Sequence, residues 1–309
     1  MSGVEGGVAG GVGGGSGVDR AAVVAVVAVH DPGPGLVDLV SDVVAQVGRV
    51  VLVDDGSRTG LEVVEGLRDR VTLVRQANAG VAAALNAGIA MALSDQADAV
   101  LTLDQDSRVP PGYVAAAVAT WQEAGRRGIP VSAVAPASYS GHPAPTAGRL
   151  HGHAVAFDPM QSGLLVPTAT FRAIGLLDEG FVIDGVDSEL TARCLTSGLV
   201  PVIAPGCELG HGQGDRLPVT LGGRRVTLRG QPLSYNQHSP DRVYYMARNG
   251  TVLTRRYARS EPRWVARRLA EEARAHLLRL TFSPDRGQLV RAALEGVRDG
   301  VRGRYGARP

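Results

Sequence analysis

The chain has 309 residues, 44% apolar and only 4% aromatic, which supports one large α/β domain or two small ones and excludes a disordered protein. A core drawn mainly from Val, Leu and Ala suits parallel strands covered by helices and disfavours an all-β sandwich. All 32 basic residues are Arg; from residue 255 onward 14 Arg face 6 acidic residues (+8) and before it 18 face 24 (−6), so an acidic body suited to a cation carries a basic tail suited to anionic lipid or nucleic acid.

Residues 1–20 are Gly-rich and are expected to be disordered. Their GGVGGGSG stretch is not a dinucleotide loop, because it precedes the first strand instead of following it. The run Ala21 to Val29 is nine residues long, short of the ~18–20 a bilayer span needs, and reads as a buried strand. A helix over 36–47 and a strand at 50–53 complete a βαβ unit. A helix at 60–70, a strand at 71–74, a helix at 80–93 and a strand at 99–103 repeat the alternation. The pattern predicts a parallel sheet with right-handed crossovers and ligands at the C-terminal strand ends. A helix at 112–127, a strand at 131–135, a loop over 138–153 and a strand at 154–157 follow. Then come a short helix after QSGLLVP, a helix in the second half of GFVIDGVDSELTARCLTSG, and a strand at 200–204. Residues 215–240 read as irregular, and two Arg-rich amphipathic helices, 262–281 and 287–301, finish the chain. Cys194 and Cys207 have no paired spacing, so neither a disulfide framework nor a four-ligand zinc site is expected and a reducing cytosol is the simplest home.

Three acidic clusters carry the chemistry. In VLVDDGS, Asp54 and Asp55 end a strand, where they can bind a base or ribose or simply shape an Asp-Gly turn. In LTLDQDS, Asp104 and Asp106 lie two apart on an extended chain, so both carboxylates can face one hard cation such as Mg2+ or Mn2+, with phosphate and water oxygens completing its shell. In IDGVDSELTAR, Asp184, Asp187 and Glu189 crowd a helix start; capping explains one carboxylate, not three. His211 sits between glycines after a strand, whereas His151 and His153 read as loop residues.

In this order and spacing, VVLVDDGS, NAGVAAALNAGI, LTLDQDS, QSGLLVPTATFRAIGLLDEGFVIDGVDSELTAR, LGHGQGD and HSPDRVYYMARN resemble the inverting nucleotide-sugar glycosyltransferases of family 2, with the GT-A fold, and more sharply their rhamnosyltransferase branch. The resemblance spans residues 22–256. It implies a nucleotide pocket made by Asp54 and Asp55 and closed by His30 and Asp31. Asn78, Gly80, Asn86, Asp104, Ser162 and Gly163 fall in the donor-binding segments. It places a Mg2+ or Mn2+ ion on Asp104, Asp106 and His211, the catalytic base at Asp187, and Glu189 beside it to orient the acceptor. Family members often carry aromatics where this chain has Gly185 and Leu190, so the acceptor transfers less well than the donor. With an ordinary carboxylate pKa of about 3.9, Asp187 is expected to be ionised at neutral pH.

The implied partners are dTDP-L-rhamnose, or another nucleotide sugar such as UDP-galactofuranose, and a glycan or polyprenyl-linked saccharide; no nucleic-acid partner is expected. The implied domains are a tail at 1–20, a catalytic domain at 21–254 and a helical extension at 255–309. In the first of the C-terminal helices Val265, Leu269, Ala273, Leu277 and Leu280 share one face, with Arg263, Arg267, Arg274 and Arg279 largely off it. That pattern fits either a helix packed on the domain or one lying at the anionic inner face of the cell membrane. A nucleotidyltransferase is disfavoured, because HDPGPG after the first strand lacks the basic residues a triphosphate loop needs. A non-catalytic sugar-nucleotide-binding protein is the other alternative.

Overall fold

The computed structural model describes residues 22–59, 71–210, 216–221, 224–228 and 230–308. The expected Gly-rich tail and the helix at 60–70 lie outside them. The first half alternates strands and helices: β1 (Val23–Val29), α1 (Leu36–Val44), β2 (Arg49–Asp55), β3 (Val71–Gln76), α2 (Val81–Ser94), β4 (Ala99–Asp104) and α3 (Tyr113–Arg126). Next come β5 (Val131–Tyr139), β6 (His142–Pro143), β7 (Thr146–Leu150), β8 (His153–Ala156), β9 (Leu164–Pro167), α4 (Thr168–Ile174), α5 (Val186–Thr196) and β10 (Val200–Leu209). Short strands β11 (Arg216–Pro218), β12 (Thr220–Leu221), β13 (Arg224–Arg225), β14 (Thr227–Leu228), β15 (Gln231–Pro232) and β16 (Ser234–Asn236) lead to α6 (Pro240–Tyr257), α7 (Pro262–Phe282) and α8 (Arg286–Val301).

Ten strands form one sheet in the order β3-β2-β1-β4-β9-β5-β10-β8-β7, with β6 paired to β5. The pairs β1–β2, β1–β4, β2–β3 and β5–β10 are parallel, while β9 runs antiparallel to both β4 and β5. Side chains alternate across a strand. Val23, Ala25, Val27 and Val29 therefore pack with α1 and α3 on one face, and Val24 and Val26 pack with α2, α5 and α6 on the other. The nearly continuous Val/Leu/Ala runs follow from this burial on both faces.

Two expectations need correction. Residues 138–153 are not a loop: β5 extends to Tyr139, and β6 and β7 add antiparallel strands. Residues 216–236 are not wholly irregular, since β11–β16, β12–β13 and β14–β15 pair as three small ribbons. Short, polar, Gly- and Pro-punctuated strands carry little periodic signal, which is why both were missed.

The chain's end is integral to the domain. The 254/255 boundary falls inside α6, and α8 packs along α6 through Gly296 and Gly300. A Cβ at Gly296 would lie 2.3 Å from the Tyr244 carbonyl oxygen, and one at Gly300 2.8 Å from that of Arg248, so only hydrogen fits there. On α7 the buried stripe is Trp264, Val265, Arg268 and Arg279, whereas Leu269 and Leu277 are 41% and 68% exposed. The predicted apolar face is thus divided, with Val265 inside and both leucines outside. Among the described residues no helix is long and apolar enough to cross a membrane.

Candidate active site

Parallel register brings the first carboxylates together. Val29 pairs with Asp54 and Ala28 with Asp104, so β1, β2 and β4 end abreast and deliver His30, Asp31, Asp54 and Asp104 to one edge. Asp54 accepts from the Ser57 amide at 2.9 Å, and Asp31 takes a bidentate contact from Arg58, with Nη2 at 2.8 Å. The backbone and side-chain bonds from Arg58 hold Asp31 below its ordinary pKa. His30 exchanges bonds with Gln105, donating its amide at 2.8 Å and accepting at its carbonyl at 3.2 Å, and its Nδ1 lies 3.4 Å from the Asn78 amide nitrogen.

Several of the residues expected in the donor-binding segments are bonded within the protein. Both oxygens of buried Asp55 are taken, by Gln76 Nε2 and the Ala79 and Gly80 amides at 2.8–2.9 Å, which fixes the turn into α2. Asn86 is buried against the Leu177 backbone and Glu179, with all three contacts at 2.9 Å. Ser162 is fully buried; its Oγ accepts from the Asp104 amide at 3.0 Å and meets Ser107 Oγ at 2.7 Å. Gly163 has φ +79°, and a Cβ there would lie 2.8 Å from both Leu209 Cδ2 and Tyr113 Oη. We therefore expect Gly163→Ala to destabilise the fold by about 1–3 kcal/mol, from left-handed backbone strain and overpacking. Denaturant melts check it, and an unchanged midpoint would show that the turn accommodates a methyl group.

Asp104 and Asp106 flank the tip of β4, and Asp106 is exposed. The Gln161 amide donates to the Asp104 carboxylate. Arg108 and Gly210 exchange backbone bonds at 2.7 and 2.9 Å, which brings the end of β10 beside this tip. His211, the next residue, lies outside the described residues. Among the described residues no group of three or more His, Cys, Asp and Glu is placed to hold a metal. A hard cation here needs ligand oxygens beyond the two carboxylates, and a bound diphosphate has them.

The second half of the site is the start of α5. Gly185 caps the helix in a left-handed conformation, and Asp187 in the first turn accepts from the Ser188 amide at 2.9 Å. Glu189 is turned away from it. Residues two apart on a helix point in nearly opposite directions. Glu189 is buried, paired with Arg193 at 2.7 Å and with the Tyr257 hydroxyl at 2.8 Å, so it ties α5 to α6. Asp184, at φ +61°, is held by Asn249 through its carbonyl and by Arg242, with Nη2 at 3.0 Å and Nε at 3.1 Å. Arg242 also lies within electrostatic reach of Asp104, so it stands between the two halves.

Three participants were not singled out from sequence. Asp158 receives the Ser188 hydroxyl at 2.8 Å, and its Oδ1 is buried without a hydrogen-bond partner. Arg268, from α7, lies 3.2 Å from Ser188 Oγ, 3.6 Å from Asp158 Oδ2 and 2.6 Å from Glu272. Arg242 is the third. Asp158 and Arg242 lie beside or inside segments that carried the resemblance, but nothing distinguishes Arg268 from the other arginines of its helix. Burial raises the pKa of Asp187, with the nearby Arg268 opposing it, so its proton is held more tightly than the ordinary value predicts. Burial and the neighbouring Asp187 push Asp158 up to about 7.

A raised folded-state pKa means that Asp158 costs no stability below the unfolded carboxylate range and a growing amount as pH rises towards 7. Asp158→Asn should therefore flatten the fall in stability across that window. Melting temperatures of both proteins from acid to neutral pH test this; parallel curves would mean that Asp158 ionises normally.

The glycosyl transferase family 2 model matches residues 24–148, which run from β1 through the nucleotide-side carboxylates into β7. The chain is a glycosyltransferase, and over these residues it is similar to family 2. Its central sheet, parallel in the first half and flanked by helices, is of the GT-A type. A curated relative is the dTDP-rhamnosyl transferase RfbF of Shigella flexneri, 27% identical over 252 residues, covering 76% of this glycosyltransferase and 80% of the relative. Among solved structures, a mycobacterial protein is 16% identical with a TM-score of 0.44, covering 76% of this chain and 74% of that one. Mannose-1-phosphate geranyltransferase from Thermus thermophilus is 16% identical with a TM-score of 0.37, covering 59% and 74%.

Proposed function

We propose that this glycosyltransferase moves L-rhamnose from dTDP-L-rhamnose to a hydroxyl of a glycan or lipid-linked saccharide, with inversion. The observation that carries the donor is the likeness to a dTDP-rhamnosyl transferase over most of both chains. The two-sided site supports the chemistry: carboxylates at the ends of β1, β2 and β4 on one side, Asp187 at the start of α5 on the other, and Arg242 between them. Asp54, His30 and Asp31 would bound the nucleoside pocket, with Asn78 placed by the Asp55 turn. Asp104 and Asp106 would hold Mg2+ or Mn2+, their oxygen donors fitting a hard cation. Such an ion, when bound, offsets charge that develops on the departing diphosphate. Arg242 adds a fixed cation on the same path. Asp187 takes the proton from the acceptor hydroxyl, and its raised pKa makes it a better base than an exposed carboxylate. Asp158, Ser188 and Arg268 fix the helix start that carries it.

A donor panel assayed by nucleoside diphosphate release tests this reading. Turnover should be fastest with dTDP-L-rhamnose, and a UDP-hexose used much faster would overturn the donor assignment.

We also infer peripheral contact with anionic membrane, through α8 more than α7. Val290, Leu294, Val297 and Val301 recur at helical spacing and are 40%, 66%, 44% and 56% exposed, beside Arg291, Arg298 and Arg302. An apolar stripe flanked by arginines suits the headgroup boundary, and each Arg there adds about 1 kcal/mol at low salt. The full chain should sediment with anionic but not neutral liposomes and be released by salt, and Leu294→Asp should weaken the association. No binding to anionic liposomes at low salt would make the stripe an ordinary surface.

A further inference from the structure

Behind Arg242 lies a second group of cationic and imidazole side chains that the transfer chemistry above does not use. Arg279 of α7 is only 3% exposed and has no carboxylate within ion-pair distance among the described residues. Its contacts are the Asn236 carbonyl at 2.9 Å, His276 Nδ1 at 3.2 Å and Met246 Sδ at 3.9 Å. Elsewhere in this chain buried or half-buried arginines are matched: Arg193 with Glu189, and Arg268 with Glu272 and Asp158. Arg248, equally buried, gives its donors to three oxygens and stacks on two tyrosines. Among the described residues Arg279 has one oxygen. A buried guanidinium this poorly compensated is costly unless an anion joins it.

The surroundings add a second guanidinium and two imidazoles. Arg242, Arg279 and His276 are within electrostatic reach of His238, and among the described residues Asp184 is the one carboxylate acting on Arg279 and His276, already bonded to Arg242. Burial and the neighbouring arginines depress both histidines, His238 to about 4, and burial and Arg242 depress Arg279, with Asp184 opposing the shift in each case. Asp104 acts on Arg242 but is not among the charges acting on Arg279 or His276. Arg242 is bonded to Asp184 and sits one turn before Met246, which Arg279 touches, so the group lies beside Asp184.

We propose that Arg279, His276, His238 and Arg242 form an anion site on the acceptor side of the cleft, which takes a phosphate or diphosphate ester carried by the acceptor. The assignment to the acceptor rests on the glycosyl-transfer reading; the anion site itself does not. A guanidinium and imidazoles converging from α6, α7 and the segment before α6 match the several oxygens of a phosphate better than a single carboxylate. An acceptor anchored there would present its sugar hydroxyl towards Asp187.

The test is calorimetry on the full chain saturated with Mg2+ and the nucleoside diphosphate released by the best donor of the panel. Inorganic pyrophosphate and a short prenyl diphosphate are then titrated separately. Both should bind saturably, and tighter binding of the prenyl ester would identify a lipid source over a free phosphate. Arg279→Gln should weaken binding about tenfold or more, the effect of losing one charged hydrogen bond, and leave nucleotide affinity unchanged. His276→Gln, at a half-buried position, should do the same if Arg279→Gln does not fold. The proposal is overturned if neither diphosphate binds the nucleotide-saturated protein, if they compete with nucleotide so that the cluster serves the donor, or if folded variants bind as well as the parent. A panel favouring a UDP-sugar would change the donor and leave this result standing, because anion binding is read without transfer.

Discussion

Asp187→Asn is expected to bind the nucleotide sugar almost normally and transfer it at least ~100-fold more slowly, the lower end of what a general base contributes. The substitution keeps the shape and the bond from the Ser188 amide while removing the basic oxygen. Calorimetry beside turnover separates the two quantities. An equal loss of binding and rate would place Asp187 on the donor, and an unchanged rate would remove it from the chemistry. Because Asp158 and Arg268 border the same helix start, the rate of the parent enzyme should also follow a carboxylate ionisation above the ordinary range, and Asp187→Asn should abolish that limb of the profile.

Asp106→Ala is expected to abolish the Mg2+ dependence of nucleotide binding, as a chelator should in the parent protein. Two carboxylates at the tip of β4 are a minimal set for a hard cation, and among the described residues no third His, Cys, Asp or Glu joins them, so loss of one should leave a site of little affinity. Because Asp106 is exposed, the fold should melt at the same temperature, which separates a lost ligand from a damaged sheet. A variant that still binds nucleotide with the same response to Mg2+ would rule out ligation there.

The amino-acid sequence by itself determined the alternating first half of this protein. Val-rich runs ending in His30-Asp31, Asp54-Asp55 and Asp104 needed only the period of strands and helices to be placed at one sheet edge, because parallel register aligns strand ends whatever the intervening loops do. Spacing within one cluster was less informative. Asp187 and Glu189 read as partners, but helix geometry separates them, and Arg193 with Tyr257 draws Glu189 into the interior. Motif membership likewise does not reveal internal bonding: Asn86, Ser162 and Gly163 lie in segments that resemble the family, and Asn86 ties α2 to the Leu177 backbone while Ser162 and Gly163 pack behind the tip of β4. Only the tertiary structure decided the fate of the C-terminal arginines. In one dimension Arg268 and Arg279 look like the solvated face of an amphipathic helix. Packing α7 against the domain buries both, one beside Asp158 and Ser188 and the other among Asn236, Met246 and His276. Charge counts along a chain cannot reveal this, since whether an arginine is a surface charge or part of a site depends on what its helix is pressed against.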